Sequence, residues 1–435
     1  MSAPGLSLRA YRFLSPGLAA IAPLAAPFLP KLREGLRGRR GLDARLAAAT
    51  PAVQGCVWFH VTSVGEYEQA RPLIAALRGR PGCPPLVVTH YSPSGYHFAA
   101  RRPCADLHEY LPLDTPRAMV RLVALWRPRL LVFVKFDCWP NQVLAASRAG
   151  VPVVMMAGSL RPGSARLHPL ARPLYRDVFD RFAHIGVCTE EDRLRFVDTL
   201  KVRCPVSVTG DTRAEQVILR YESAQGGATA AALQALGGRL LILGSTWPPD
   251  EKLWLPVLAR LRASLPDVRV VLTPHEPTPP RLAQLEAALE AAGLATARLS
   301  AVVAAAGAPS GAAVPDVVLV DSIGQLAEIY RAGHLAYVGG SFTTGVHNTM
   351  EPAVAGMPVL FGPVIDNAEE AGELVRRGAG QVVREPEQAL AAALRLLGDD
   401  ETLRRAATAA RDVVLAQRGA TARSLAVLDP LLAAR

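Results

Sequence analysis

The chain has 435 residues, half of them hydrophobic and a fifth charged, and a formal net charge of +10. That length exceeds one ordinary core and implies two domains of about 200 residues each, while the composition excludes a disordered or fibrous protein. Six scattered cysteines without a CxxC pair exclude a disulfide framework and a paired-cysteine zinc site, and fit a reducing compartment.

The positive charge is concentrated at the start, where the first fifty residues hold eight Lys or Arg against two acids. The basic stretch "KLREGLRGRRGL" follows "LSPGLAAIAPLAAPFLP", Leu14 to Pro30, which four prolines break too often for a straight membrane span. A cleaved signal peptide and a buried N-terminal helix are competing readings. The expectation here is a membrane-associated segment over residues 1–40, with apolar residues in the bilayer and basic ones at anionic headgroups. Nucleic acid is not expected as a partner, since the patch has no interleaved aromatics and no recognised binding motif.

Next comes "CVWFHVTSVGEYEQARPLIAAL", from residue 56. Val57 to Val61 reads as a strand, Ser63-Val64-Gly65 as a loop and Tyr67 to Leu77 as a helix, so Glu66 sits where strand turns into helix. An acid in a helix's first turn complements the dipole and caps free amides. In an open α/β sheet, the same loop lies where ligands bind, beyond the carboxyl ends of the strands. From this stretch alone both readings stand.

Apolar runs at 57–61, 85–89, 130–134, 152–156, 184–188 and 206–210 alternate with helical patterns, the signature of a parallel sheet covered by helices. The pattern loosens around 215–235 and restarts with "LLILGST", "VRVVLTP", "DVVLVDS", "LAYVGGS", "MPVLFGP" and "GQVVR". Two doubly wound Rossmann-like domains follow, 41–220 and 221–435; residues 283–315 read as a helix and a loose surface loop.

In the second domain the informative stretch is "LAYVGGSFTTGVHNTMEPAVAGMPVLFGP", residues 335–363. Gly339 and Gly340 after a strand let the backbone approach a ligand, Ser341 adds a hydroxyl, and a helix starting at His347-Asn348 would favour a phosphate. Glu351 then falls in its first turn, facing a ribose diol or acting as a plain helix-start acid. Ser245 and Thr246 in "LILGSTWPP" offer a second phosphate contact or a simple N-cap. Arg213 in "TGDTR" fits an anionic donor group, or an interdomain salt bridge. No Asp-x-Asp or histidine cluster offers ligands for a divalent ion, so neither metal nor cofactor is expected.

With these strings, and with "THYSPSGY", "YLPLDTPRAMVRLV", "CWPNQV", "GSLRPGSARLHPL", "GSTWPPDE" and "TPHEP", the chain resembles the 3-deoxy-D-manno-octulosonic acid (Kdo) transferases. The resemblance implies a GT-B fold, two Rossmann-like domains facing a cleft, and a glycosyltransferase of lipopolysaccharide biosynthesis. Such an enzyme passes Kdo with inversion from CMP-Kdo to a lipid A precursor on the cytoplasmic face of a membrane. It also implies Glu66 as the general base that takes the proton from the acceptor hydroxyl. The 41–220 domain would bind the acceptor and the 221–435 domain the nucleotide sugar. His275 and Glu276 fall where relatives carry donor-contacting residues. Ser63, Lys135 and Asp137 are assigned to the acceptor; in "KFDCWPN", Lys135 and Asp137 replace two glutamates that many relatives carry, which bears on acceptor contacts and on how many Kdo units are added. Two other functions share this architecture: a nucleotide-sugar 2-epimerase, and a non-catalytic membrane-attached sugar-nucleotide-binding protein.

Overall fold

Short β-branched runs buried on both faces demand helices on both sides, and parallel pairing delivers them. Among the described residues, fourteen strands form two seven-stranded sheets in which every pairing is parallel. The computed structural model describes residues 3–135, 137–161, 163–223, 226–306, 314–343 and 345–433. It divides into unit 1, Met1–Glu215 with Gly419–Arg435, and unit 2, Gln216–Arg418.

Unit 1 contains β1 (Val57–Val61), β2 (Leu86–His90), β3 (Leu107–Tyr110), β4 (Leu130–Val134), β5 (Val153–Gly158), β6 (His184–Val187) and β7 (Val206–Val208), in the spatial order β3-β2-β1-β4-β5-β6-β7. The order reverses between β1 and β4, so the loops leaving these two strands diverge and open a crevice at the carboxyl edge. Alternate β1 residues feed opposite layers. Trp58 packs edge-on against Trp126, 5.3 Å between ring centroids, while Phe59 and Val61 join Tyr67 and Leu428 on the other face.

Leu428 belongs to the last helix, Ala420–Ala433, which the sequence assigned to the second domain with everything after residue 220. It is part of unit 1 instead. The Glu215 carboxylate accepts from the amides of Gly419 (2.7 Å) and Thr421 (2.6 Å), capping that helix, and Arg80 pairs with Asp429.

The N-terminal segment is more integrated than a free anchor. Helix Leu6–Ala25 buries Leu8 completely; Tyr11 Oη donates to Asp114 (2.9 Å), and Ser15 Oγ accepts from Asn141 Nδ2 (3.0 Å). Its other face carries Phe13 (84% exposed), Leu14, Leu18, Ile21 and Leu24 (75%). The next helix, Pro30–Gly38, is bent from it by 114°, and no single described helix is long and apolar enough to cross a membrane. Nor do all the basic residues face outward. The Arg39 fork donates to the carbonyls of Leu111 (2.7 Å), Gly35 (3.0 Å) and Tyr91 (3.0 Å), and Arg45 pairs with the buried Glu109 at 2.7 Å.

Unit 2 repeats the plan with β8 (Arg239–Thr246), β9 (Val268–Pro274), β10 (Thr296–Arg298), β11 (Val317–Leu319), β12 (Leu335–Val338), β13 (Val359–Phe361) and β14 (Gly380–Val382), ordered β10-β11-β9-β8-β12-β13-β14. Here the reversal lies between β8 and β12. The helix expected after residue 283 is present as Pro279–Ala291, followed by Leu299–Ala305; the loop expected over 307–313, and Thr344 of the 335–363 string, lie outside the described residues.

Candidate active site

The loop after β1 answers the question posed by Glu66. Ser63 is the N-cap of helix Val64–Arg78: its Oγ accepts from the Glu66 amide (3.3 Å), and Glu66 Oε2 accepts from the Ser63 amide (3.3 Å) and from the Thr62 amide. This reciprocal box fixes the acid with one oxygen. The other, Oε1, accepts no hydrogen bond among the described residues. Capping is therefore confined to one oxygen of the carboxylate.

Glu66 is only 3% exposed. Burial, reinforced by the negative charge of Asp137, pushes its pKa up to about 7, against the opposing pull of the Thr62 amide, Lys135 and the Ser63 amide. A carboxylate poised near neutrality suits proton abstraction. Lys135 and Asp137 arrive from across the crevice on the loop after β4. Lys135 adopts a left-handed backbone (φ 71°), strain of the kind that collects at functional sites. Asp137 pairs with Arg166, whose guanidinium lies 5.4 Å from the centre of the Tyr175 ring.

Beneath this loop lies a polar relay that the sequence did not reveal. Trp139 Nε1 donates to His60 Nε2 (3.0 Å), which places the His60 proton on Nδ1, 2.9 Å from Thr89 Oγ1. Burial first, and the Arg39 charge second, push His60 down to about 3, so it stays neutral. Trp139 also stacks on Tyr91 at 4.3 Å, and the Arg39 guanidinium lies 4.9 Å from the centre of the Tyr91 ring. These rings hold the Lys135–Asp137 loop against the sheet. The tryptophan was legible only as part of "CWPN", and a strand histidine alone gives no signal.

In unit 2 the loops after β8 and β12 meet over Asp250. Its Oδ2 accepts from the amides of Trp247 (2.8 Å) and Gly340 (3.0 Å), and its Oδ1 from Tyr337 Oη (2.5 Å). Gly339 is confined by this contact: a Cβ there would lie 2.3 Å from the Ser245 carbonyl oxygen and 2.8 Å from Asp250 Oδ2. Gly340 has φ +95°, which an L side chain rarely adopts.

Several expected donor contacts are placed differently. Ser341 is 0% exposed and its Oγ has no hydrogen-bond partner among the described residues, so its side chain is not presented at the surface. Thr246 is also buried, donating to Glu251 at 3.0 Å. The helix after them begins Pro248-Pro249; two of its first amides are missing, which removes most of the anion-binding capacity expected there. The helix expected at His347-Asn348 starts at Met350 and runs only five residues, too short for a substantial dipole. Arg213 lies in unit 1, within the 41–220 domain where the sequence put it. What remains open in unit 2 is half-buried or exposed: Ser245 in a left-handed backbone (φ 53°), His275, Glu276, His347, Asn348 and Glu351. Asn348 Oδ1 accepts from the Met350 amide (3.1 Å), and its Nδ2 donates to Glu351 (3.0 Å), so these two side chains act as one polar edge.

Two parallel Rossmann-like units, each with its distinctive loops at its own switch point, define a protein of the GT-B class. Solved structures with this fold include the UDP-GlcNAc 2-epimerase of Neisseria meningitidis (TM-score 0.61, 14% identity, covering 86% of this chain and 99% of that one). The putative UDP-N-acetylglucosamine 2-epimerase of Listeria monocytogenes is another (TM-score 0.57, 16% identity, 86% and 96%). At such identities the likeness is one of fold alone.

Sequence is more specific. The family profile of the 3-deoxy-D-manno-octulosonic-acid transferases (kdotransferases) matches residues 35–216. The 3-deoxy-D-manno-octulosonic acid transferase of Bordetella pertussis is 31% identical over 408 residues, covering 91% of this chain and 90% of its own. That of Chlamydophila psittaci is 31% identical over 349 residues, 78% of each chain. The chain belongs to the Kdo transferase family.

Proposed function

We propose that this protein is an inverting glycosyltransferase that moves Kdo from CMP-Kdo to a lipid A precursor in lipopolysaccharide biosynthesis, with Glu66 as general base. The observation that carries the assignment of Glu66 is its divided carboxylate: Oε2 is fixed by two backbone amides, Oε1 is left uncommitted, and the group is tuned to about 7. In the reaction Oε1 takes the proton of an acceptor sugar hydroxyl as that oxygen attacks the anomeric carbon of Kdo and the bond to the CMP phosphate breaks, the electron pair leaving with the nucleotide. Ser63, Lys135 and Asp137 surround the acceptor, with Lys135 and Arg166 supplying positive charge for its anionic groups. On unit 2, Gly339, Gly340, His275, His347, Asn348 and Glu351 bind the donor, with Ser245 and Glu276 at the rim.

The same reading places the enzyme on the cytoplasmic face of the inner membrane. The apolar face of helix Leu6–Ala25, with Lys31, Arg33, Arg37 and Arg40 exposed just after it, has the composition of an interfacial anchor on anionic lipid. The deciding experiment incubates purified protein with CMP-Kdo and a panel of lipid A precursors and reads products by mass. Addition of one or more Kdo residues is the expected result; no Kdo adduct on any precursor overturns it.

A further inference from the structure

We propose that Trp247 is a positioning residue of the donor site: its indole N–H fixes the tautomer of His347, so that Nδ1–H is the group presented to the nucleotide sugar. Trp247 Nε1 donates to His347 Nε2 at 2.9 Å, and an indole nitrogen can only donate. Nε2 must therefore be the bare nitrogen, and a neutral ring carries its proton on Nδ1. Burial and the neighbouring His275 hold His347 below its ordinary range, which keeps it neutral.

The ring is clamped on three sides. His275 stacks over His347 (4.6 Å between centroids, 8° between planes) and over Trp247 (4.6 Å, 27°). The Gly340 backbone closes the third side, where a Cβ would fall 2.9 Å from His347 Cδ2 and 3.0 Å from Nε2. The remaining edge carries Nδ1, which has no hydrogen-bond partner among the described residues. A fixed N–H without a partner among the described residues, on a half-buried ring next in sequence to Asn348, suits an oxygen of a nucleoside monophosphate. This rests on the donor-site reading above.

Nitrogen-15 spectra of histidine-labelled full-length protein test it, with His347→Asn used to assign the resonance. In the wild type His347 is expected as the Nδ1–H tautomer from pH 6.5 to 8. Trp247→Phe keeps the ring stack and removes the donor; His347 should become a tautomeric mixture, and the dissociation constant for CMP should rise about three- to tenfold, the worth of one hydrogen bond. An Nε2–H form in the wild type, or an unchanged tautomer in Trp247→Phe, overturns the proposal without reference to CMP. An altered tautomer with unchanged CMP affinity also overturns it. If CMP binds His347→Asn as tightly as the wild type, the donor-site reading fails instead.

Discussion

Glu66 and Asp250 occupy equivalent positions in the two units, each the third residue of the helix that follows the strand at the switch point. Each folds its carboxylate back onto the amide that precedes its helix. They differ in what is left over. Asp250 spends both oxygens on Trp247, Gly340 and Tyr337, whereas Glu66, one methylene longer, caps with Oε2 and keeps Oε1 uncommitted. A motif that is wholly structural in one unit is thus half available for chemistry in the other.

Glu66→Gln should therefore lower turnover by about two to four orders of magnitude, the usual contribution of a positioned base. Gln can still cap through its amide oxygen, and CMP, assigned to unit 2, should bind as before. Single-turnover rates with calorimetric CMP titration check both halves. Normal turnover would return Glu66 to a purely capping role; lost CMP affinity would point to wider disturbance.

Because the base works only when ionised, kcat/KM should rise with pH through an inflection near 7, set by burial and by Asp137. Asp137→Asn removes a repulsive charge and should move the inflection to lower pH, while Lys135→Met removes an attractive one and should move it higher. The same raised pKa has a stability signature. Between the ordinary value of 4.5 and about 7 the unfolded chain ionises while folded Glu66 stays protonated, so stability falls as pH rises across that window. Relative to wild type, Glu66→Gln should match at pH 4 and be more stable at pH 8, by up to about 3 kcal/mol. Denaturant melts at the two values decide it; no gain at pH 8 refutes the raised pKa.

The double sheet and the position of Glu66 were legible because continuous apolar runs ending in glycine-rich loops leave few alternatives. The two missed strands, β3 and β10, are the terminal strands of their sheets; at four and three residues, with His108, Glu109 and Arg298 among them, they resemble loops, since an edge strand has one neighbour and little apolar surface to bury. The burial of Ser341 and Thr246 was not legible, because a hydroxyl after a strand looks the same whether it points at ligand or core. Nor was the role of Arg39: a basic run shows charge but not which guanidinium turns inward to three carbonyls.

Membrane association should depend on the exposed face of helix Leu6–Ala25. Deleting residues 1–40 would not isolate it, since Leu8, Tyr11 and Arg39 leave with it. Phe13→Glu combined with Leu24→Glu alters only exposed positions, each worth about 1.5–3 kcal/mol if buried in lipid. Sedimentation with anionic vesicles should fall sharply while the melting temperature holds. Undiminished sedimentation of the double variant would refute the anchor.

The buried Asp114 ties that helix to helix Pro140–Arg148, which follows the loop carrying Lys135 and Asp137. Its Oδ2 accepts from Tyr11 Oη (2.9 Å) and the Asn141 amide (3.0 Å), and its Oδ1 from the Gln142 amide (3.0 Å). It caps helix Pro140–Arg148, whose first residue has no N–H to offer, and holds helix Leu6–Ala25 with the same carboxylate. Asp114→Asn sets an NH2 group against a ring of donors, so at least one buried N–H or O–H loses its acceptor, at about 1–3 kcal/mol. Tyr11→Phe removes the link to the N-terminal helix alone and leaves the cap intact. Hydrogen exchange should accelerate in residues 6–25 for both variants, and in 139–148 only for Asp114→Asn. Protection unchanged over 6–25 in Tyr11→Phe would mean that Leu8 and its apolar neighbours hold the helix without the tyrosine.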